Sequence, residues 1–115
     1  MARDLNFWKT KKDLMISNSE IYKNLTKGKY LDYICDIPSK QVLEDFKIEF
    51  SEWKYSDDLI FSKGQESFQL LITNQFVRAD CYSMSEQNMN KIIDILLKYD
   101  CPLYDAAIDV RFDGN

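Results

Sequence analysis

The stretch from Glu52 to Ser83, EWKYSDDLIFSKGQESFQLLITNQFVRADCYS, constrains the fold more than any other. Turn-forming residues recur in it at Ser56-Asp57-Asp58, Lys63-Gly64-Gln65 and Asn74-Gln75, and they separate four short segments rich in aromatic and aliphatic side chains. That punctuation predicts a four-stranded meander, with Trp53 opening the sheet. On the third strand Phe68, Leu70 and Ile72 share one face, and on the fourth Val77, Ala79 and Cys81 alternate with Phe76, Arg78, Asp80 and Tyr82. Aromatic and arginine side chains on a sheet face either anchor a protein interface or lie beneath a second helix.

The meander is followed by a helix. Ser83 and Glu86 have the S-x-x-E spacing of a capping box, and Met89, Ile92, Ile93, Leu96 and Leu97 form an apolar stripe over about 84–99. Pro102 cannot continue that helix, and YDAAIDVRF after it reads as a last strand with Ala106, Ile108, Val110 and Phe112 on one face. Its other face then carries Asp105, Asp109, Arg111 and Asp113. At about 3.3 Å per residue, Asp105 and Asp109 would stand roughly 13 Å apart, too far to act on one bond as a hydrolase pair. The spacing predicts an acidic strip facing solvent or a partner.

Upstream, Ile21, Tyr22 and Leu25 are at helical spacing and Gly28 is placed to end a helix over 19–27. In PSKQVLEDFKIEFSEW two periods compete: Leu43, Phe46, Phe50 and Trp53 are helical, whereas Phe46, Ile48 and Phe50 alternate as on a strand. The helix formers of 40–45, with Ser39 as N-cap, favour a helix over 39–50. Residues 1–16 read as an extended arm or a short strand. The expected order is ααββββαβ in one α+β domain, a mainly antiparallel sheet of about five strands with helices on one face.

Composition then excludes several functions. The 115 residues contain no histidine, so neither a Ser-His-Asp or Cys-His nucleophile nor a His-ligated metal can exist. Cys35, Cys81 and Cys101 are an odd number without CxxC spacing; buried thiols are expected rather than a disulfide framework, zinc site or nucleophile. Glu52-Trp53-Lys54, with Asp36 or Asp45 upstream, has the E-x-K form of a metal-dependent nuclease, but such triplets arise by chance in a chain that is 30% charged. No cofactor is expected. No apolar run reaches the roughly 18 residues of a membrane helix, and the charged start MARDLNFWKTKKD has no apolar leader core, so a cytoplasmic location is expected. Residues 1–30 carry seven basic and three acidic side chains, whereas residues 31–115 carry eight basic and sixteen acidic. A body so acidic repels phosphate backbones, which argues against nucleic acid as a ligand, and attracts basic partners.

FVRADCYSMSEQNMNKIIDILLKYDCPLYDAAIDVRFDG, residues 76–114, together with FSEW at 50–53, resembles small bacterial immunity proteins of contact-dependent inhibition and polymorphic-toxin systems. The chain departs from them at Ala79 and Ala106, where those proteins often carry phenylalanine and proline. The resemblance implies a cytoplasmic antidote, without catalytic residues, that blocks a cognate toxin domain, often a nuclease. An acidic protein suits a nuclease's basic cleft. The expected function is accordingly non-enzymatic binding of a protein partner through Asp80, Tyr82, Asp105, Asp109 and Asp113. The alternative is an adaptor that oligomerises through its sheet, and the sequence leaves open whether the chain is a monomer or a dimer.

Overall fold

A computed structural model describes residues 2–11 and 15–112. Its elements run β1 (Ala2–Phe7), α1 (Asn18–Thr26), α2 (Ser39–Glu49), β2 (Lys54–Ser56), β3 (Ile60–Lys63), β4 (Glu66–Ile72), β5 (Val77–Tyr82), α3 (Glu86–Leu97), β6 (Leu103–Asp105) and β7 (Val110–Phe112). The chain is α+β, and its seven strands form one sheet in the order β2-β3-β4-β5-β1-β6-β7, with every pairing antiparallel.

Two strands exceed the expected five. The N-terminal residues are no arm: β1 inserts between β5 and β6, and Leu5, Phe7 and Trp8 are buried. The expected last strand is two, because the chain reverses at 106–109 and β7 returns along β6, pairing Leu103 with Phe112 and Asp105 with Val110.

Alternation along the strands divides the core between the two faces of the sheet. Leu5, Phe7, Phe61, Phe68, Leu70, Val77, Ala79, Cys81 and Leu103 look to one face, which α2 and α3 cover with Val42, Phe46, Phe50, Ile92, Ile95 and Leu96. Their immediate neighbours Trp8, Leu71, Phe76 and Tyr104 look to the other, where α1 supplies Ile21 and Leu25. The expected placement of the helices on one face holds for α2 and α3, whereas α1 covers the opposite face. In α2, Val42, Phe46 and Phe50 recur every four residues and are buried while Ile48 is exposed, which decides between the two competing periods in favour of the helix.

Helix ends depart from the expected caps. Pro38, not Ser39, precedes α2 as its cap residue, and no side chain bonds there. At α3 the cap is Ser85, whose hydroxyl accepts from the Asn88 N–H, while Ser83 sits in a left-handed turn at φ 56°. The acid of this box comes from β4. The Glu66 carboxylate accepts from the Ser85 N–H at 2.7 Å and from the Asn88 side-chain amide at 3.0 Å. The Ser85 backbone bond, followed by the Asn88 bond, holds the Glu66 carboxyl below its ordinary value of 4.5. A depressed carboxyl adds stability above the unfolded-state pKa and loses it as pH falls through the folded-state value. Glu66→Gln is therefore expected to lower the melting temperature at neutral pH by an amount that shrinks on acidification below 4.5. A deficit independent of pH, read by thermal denaturation, would contradict the cap.

Both α1 and α3 end in Schellman geometry. After α1, Lys29 N–H bonds Asn24 C=O and Gly28 occupies the left-handed position at φ 80°. After α3, Cys101 N–H bonds Leu96 C=O and Asp100 takes that position at φ 59°. Glycine adopts it without strain and aspartate does not. Asp100→Gly is expected to stabilise the fold by about 0.5–1 kcal/mol, reduced by loss of the exposed Lys9–Asp100 ion pair at 3.4 Å. Urea denaturation measures it.

Candidate partner-binding site

The five expected contact residues do not form one surface. Asp80 lies on β5, half-buried, with its carboxylate 3.1 Å from Arg78. Tyr82 is exposed on the same face at the end of that strand. Asp105 points to the opposite face, largely buried, accepting from Arg3 at 3.2 Å and from the Ala107 N–H at 3.0 Å. Asp109 lies in the reversal at φ 51° and accepts from the Tyr104 hydroxyl at 2.7 Å. Asp113 falls outside the described residues. The acidic strip on one strand face is thus not formed: the reversal at 106–109 breaks the strand that would have carried it, and both Asp105 and Asp109 are engaged within the fold.

Phe76 and Tyr82 have separate fates. Phe76 is buried beneath α1, edge-on to Tyr22 at 6.4 Å, which accounts for it as core. Only Tyr82 stays available. Beside it, Asp4 pairs across the strands with Asp80; burial first, then hydrogen bonding to Asp80, raises the Asp4 carboxyl above its ordinary value.

The residues of the E-x-K triplet are likewise dispersed. Glu52 pairs with Lys63 at 3.5 Å, and Asp45 takes the Tyr99 hydroxyl and lies 3.7 Å from Lys98. Among the described residues no group of three Cys, Asp or Glu side chains is arranged to hold a metal ion. Burial pushes the Cys81 thiol up to about 12 and the Cys101 thiol up to about 11, so both stay protonated at neutral pH. No helix among the described residues is long and apolar enough to cross a membrane.

What the fold does assemble is an apolar slot on the face shared with α3. A cleft of about 750 Å³ opens between the start of α3 and the ends of β1 and β6, lined by Arg3, Cys81, Met84, Met89 and Asp105 among others. It continues along α3 past Glu86, Ile93, Leu5 and Leu103. Further along, Leu97, four residues after Ile93 and so on the same side of the helix, is 48% exposed. Beyond it β7 presents Val110 and Phe112 on that face, 40% and 51% exposed, with Ile108 at 59% in the reversal.

Alternation identified Ala106, Ile108, Val110 and Phe112 as one apolar strand face but missed the reversal between them. Asp105 is the signal that was missed. Its carboxylate accepts from the N–H two residues on, the bond by which aspartate starts a turn without glycine or proline. Arg111 points the other way, its guanidinium 5.0 Å over the Trp8 ring and donating to the Trp8 carbonyl, so the charge within β7 is drawn off the apolar side.

A scan of protein-family models and searches of curated proteins and of solved structures find no match to this chain.

Proposed function

We propose that the chain is a non-enzymatic binding protein of the immunity type, a cytoplasmic antidote that occupies and blocks a basic, nuclease-type toxin domain. One observation carries the reading: Val110 and Phe112 stand exposed on β7, directly across from Asp105 and Leu103 of β6, which line the cleft along α3. Clustered apolar exposure of this kind is avoided on surfaces that stay in water. The sixteen acidic side chains of residues 31–115, against eight basic ones, draw a cationic partner toward that surface and raise the on-rate, while buried apolar anchors set the off-rate. The resemblance of residues 76–114 to immunity proteins agrees with this role.

Co-expression with a toxin domain encoded beside the chain's own gene tests it. Cells survive with the native chain and die with Phe112→Asp, which should fold normally because the side chain is half exposed. Unimpaired protection by Phe112→Asp and Val110→Asp would remove the slot from the reading; failure of the native chain to protect would remove the toxin. A second reading rests on the β7 edge, which ends the sheet, no described strand pairing on its outer side. A dimer in light scattering, abolished by Arg111→Pro, would favour it.

A further inference from the structure

We infer that the bare strip of sheet beside α3 is a berth for one amphipathic helix of the partner, apolar on the side it lays down and basic at its margin. This rests on the binding reading above and specifies what the partner brings.

Width gives the first argument. Seven strands about 4.8 Å apart make a sheet roughly 29 Å across, while packed helices stand about 8–10 Å apart. On the shared face α2 lies over β3 and β4, with Phe46 against Phe61 and Phe68 at 6.3 and 6.0 Å. α3 comes next, its Met89 and Ile93 bordering the cleft beside Leu5 of β1 and Leu103 of β6. What remains is the β6–β7 pair, about one helix diameter wide. No described segment covers it, as the exposure of Val110 and Phe112 shows. Leu103 and its cross-strand partner Phe112 form its floor, and Met89 and Ile93 its wall.

A second copy of this chain has no helix to lend. Each of the three already buries its apolar side: Ile21 and Leu25 on α1, Val42 and Phe46 on α2, Ile92, Ile95 and Leu96 on α3. Charge defines the margin of the missing element. The ionisable side chains on the cleft's own face, thiol aside, are Arg3, Glu86 and Asp105, Asp4 being turned to the other face beside Asp80, and the one cation among them is engaged by Asp105. That leaves the Glu86 carboxylate unneutralised at the margin, on a body with sixteen acidic side chains against eight basic ones over residues 31–115, which favours lysine or arginine on the incoming helix and disfavours an anionic membrane surface.

The probe is a synthetic leucine–lysine peptide of about 14 residues, four turns, with leucines at helical spacing. A peptide of the same composition with strict leucine–lysine alternation is the strand-forming control. Titrated into the isotope-labelled chain, the helical peptide is expected to shift the amides of Leu97, Val110 and Phe112. It should bind at least about tenfold more tightly than the alternating one. Phe112→Asp should weaken it by about tenfold or more, and Ile48→Asp, at an exposed isoleucine on α2, should not. Equal binding of the two peptides, equal effects of the two variants, or shifts elsewhere would overturn the inference. If Phe112→Asp abolishes toxin protection while the helical peptide misses the slot, the binding face stands and the helix falls. If the peptide docks but no toxin is neutralised, the berth stands and the toxin reading falls.

Discussion

Phe68→Ala is expected to lower the free energy of unfolding by about 3–5 kcal/mol, a fall of roughly 12–20 °C in melting temperature for a domain of this size. Phe68 is fully buried at the centre of an aromatic stack. It lies 4.9 Å from Phe61, nearly parallel to it, 4.9 Å from Phe50 and 5.7 Å from Trp53. These rings come from β4, β3, α2 and the turn after α2, so their contact joins the helical layer to the sheet. Truncation leaves a cavity that rigid aromatic neighbours fill poorly, which places the cost toward the upper end. Ile48→Ala, on the exposed side of α2, should change little. Equal losses for the two, read by urea denaturation, would contradict the packing described.

Gln75→Leu should cost about 2–4 kcal/mol without creating a cavity. Gln75 is buried, and its side-chain amide spans to the loop between α1 and α2. Oε1 accepts from the Leu31 N–H at 2.8 Å, and Nε2 donates to the carbonyls of Leu31 and Ile34 at 2.7 and 2.9 Å. A leucine fills the volume and leaves those backbone groups without their partner. Gln75→Glu is the sharper control. Its carboxylate still accepts from Leu31 but opposes two carbonyl oxygens, so the loss should ease on acidification, when the carboxyl can donate. A pH-independent loss would mean that the loop is held by something else.

The meander and α3 were legible because local chemistry and tertiary role agree there. Turn residues fall where the chain reverses, and the stripe from Met89 to Leu97 matches the face that packs. β1 was obscure for a physical reason. Its alternation is short, only Leu5 and Phe7 of its six residues being large and apolar, and Trp8 just past its end packs in the other cluster and blurs the period. The α3 cap was misplaced by two residues because its acid, Glu66, comes from β4, nineteen positions before Ser85 and outside any local motif, and Ser83-x-x-Glu86 offered a decoy. The β6–β7 reversal hid for want of glycine or proline; Asp105 and Asp109 supply the turn instead. That error decided the site. The same residues read as an acidic strip opposite an apolar strand face become, once the chain reverses, two internally bonded aspartates and an exposed apolar edge.

The central claim is that this edge, with Val110 and Phe112 exposed on it, is where a partner binds. Calorimetric titration of the native chain, Phe112→Asp and Ile48→Asp against the proposed cognate toxin domain tests it most directly. The account predicts tight binding by the native chain and Ile48→Asp, with loss of at least about 2 kcal/mol for Phe112→Asp. Affinity unchanged by Phe112→Asp, in a variant that melts like the native chain, would contradict it.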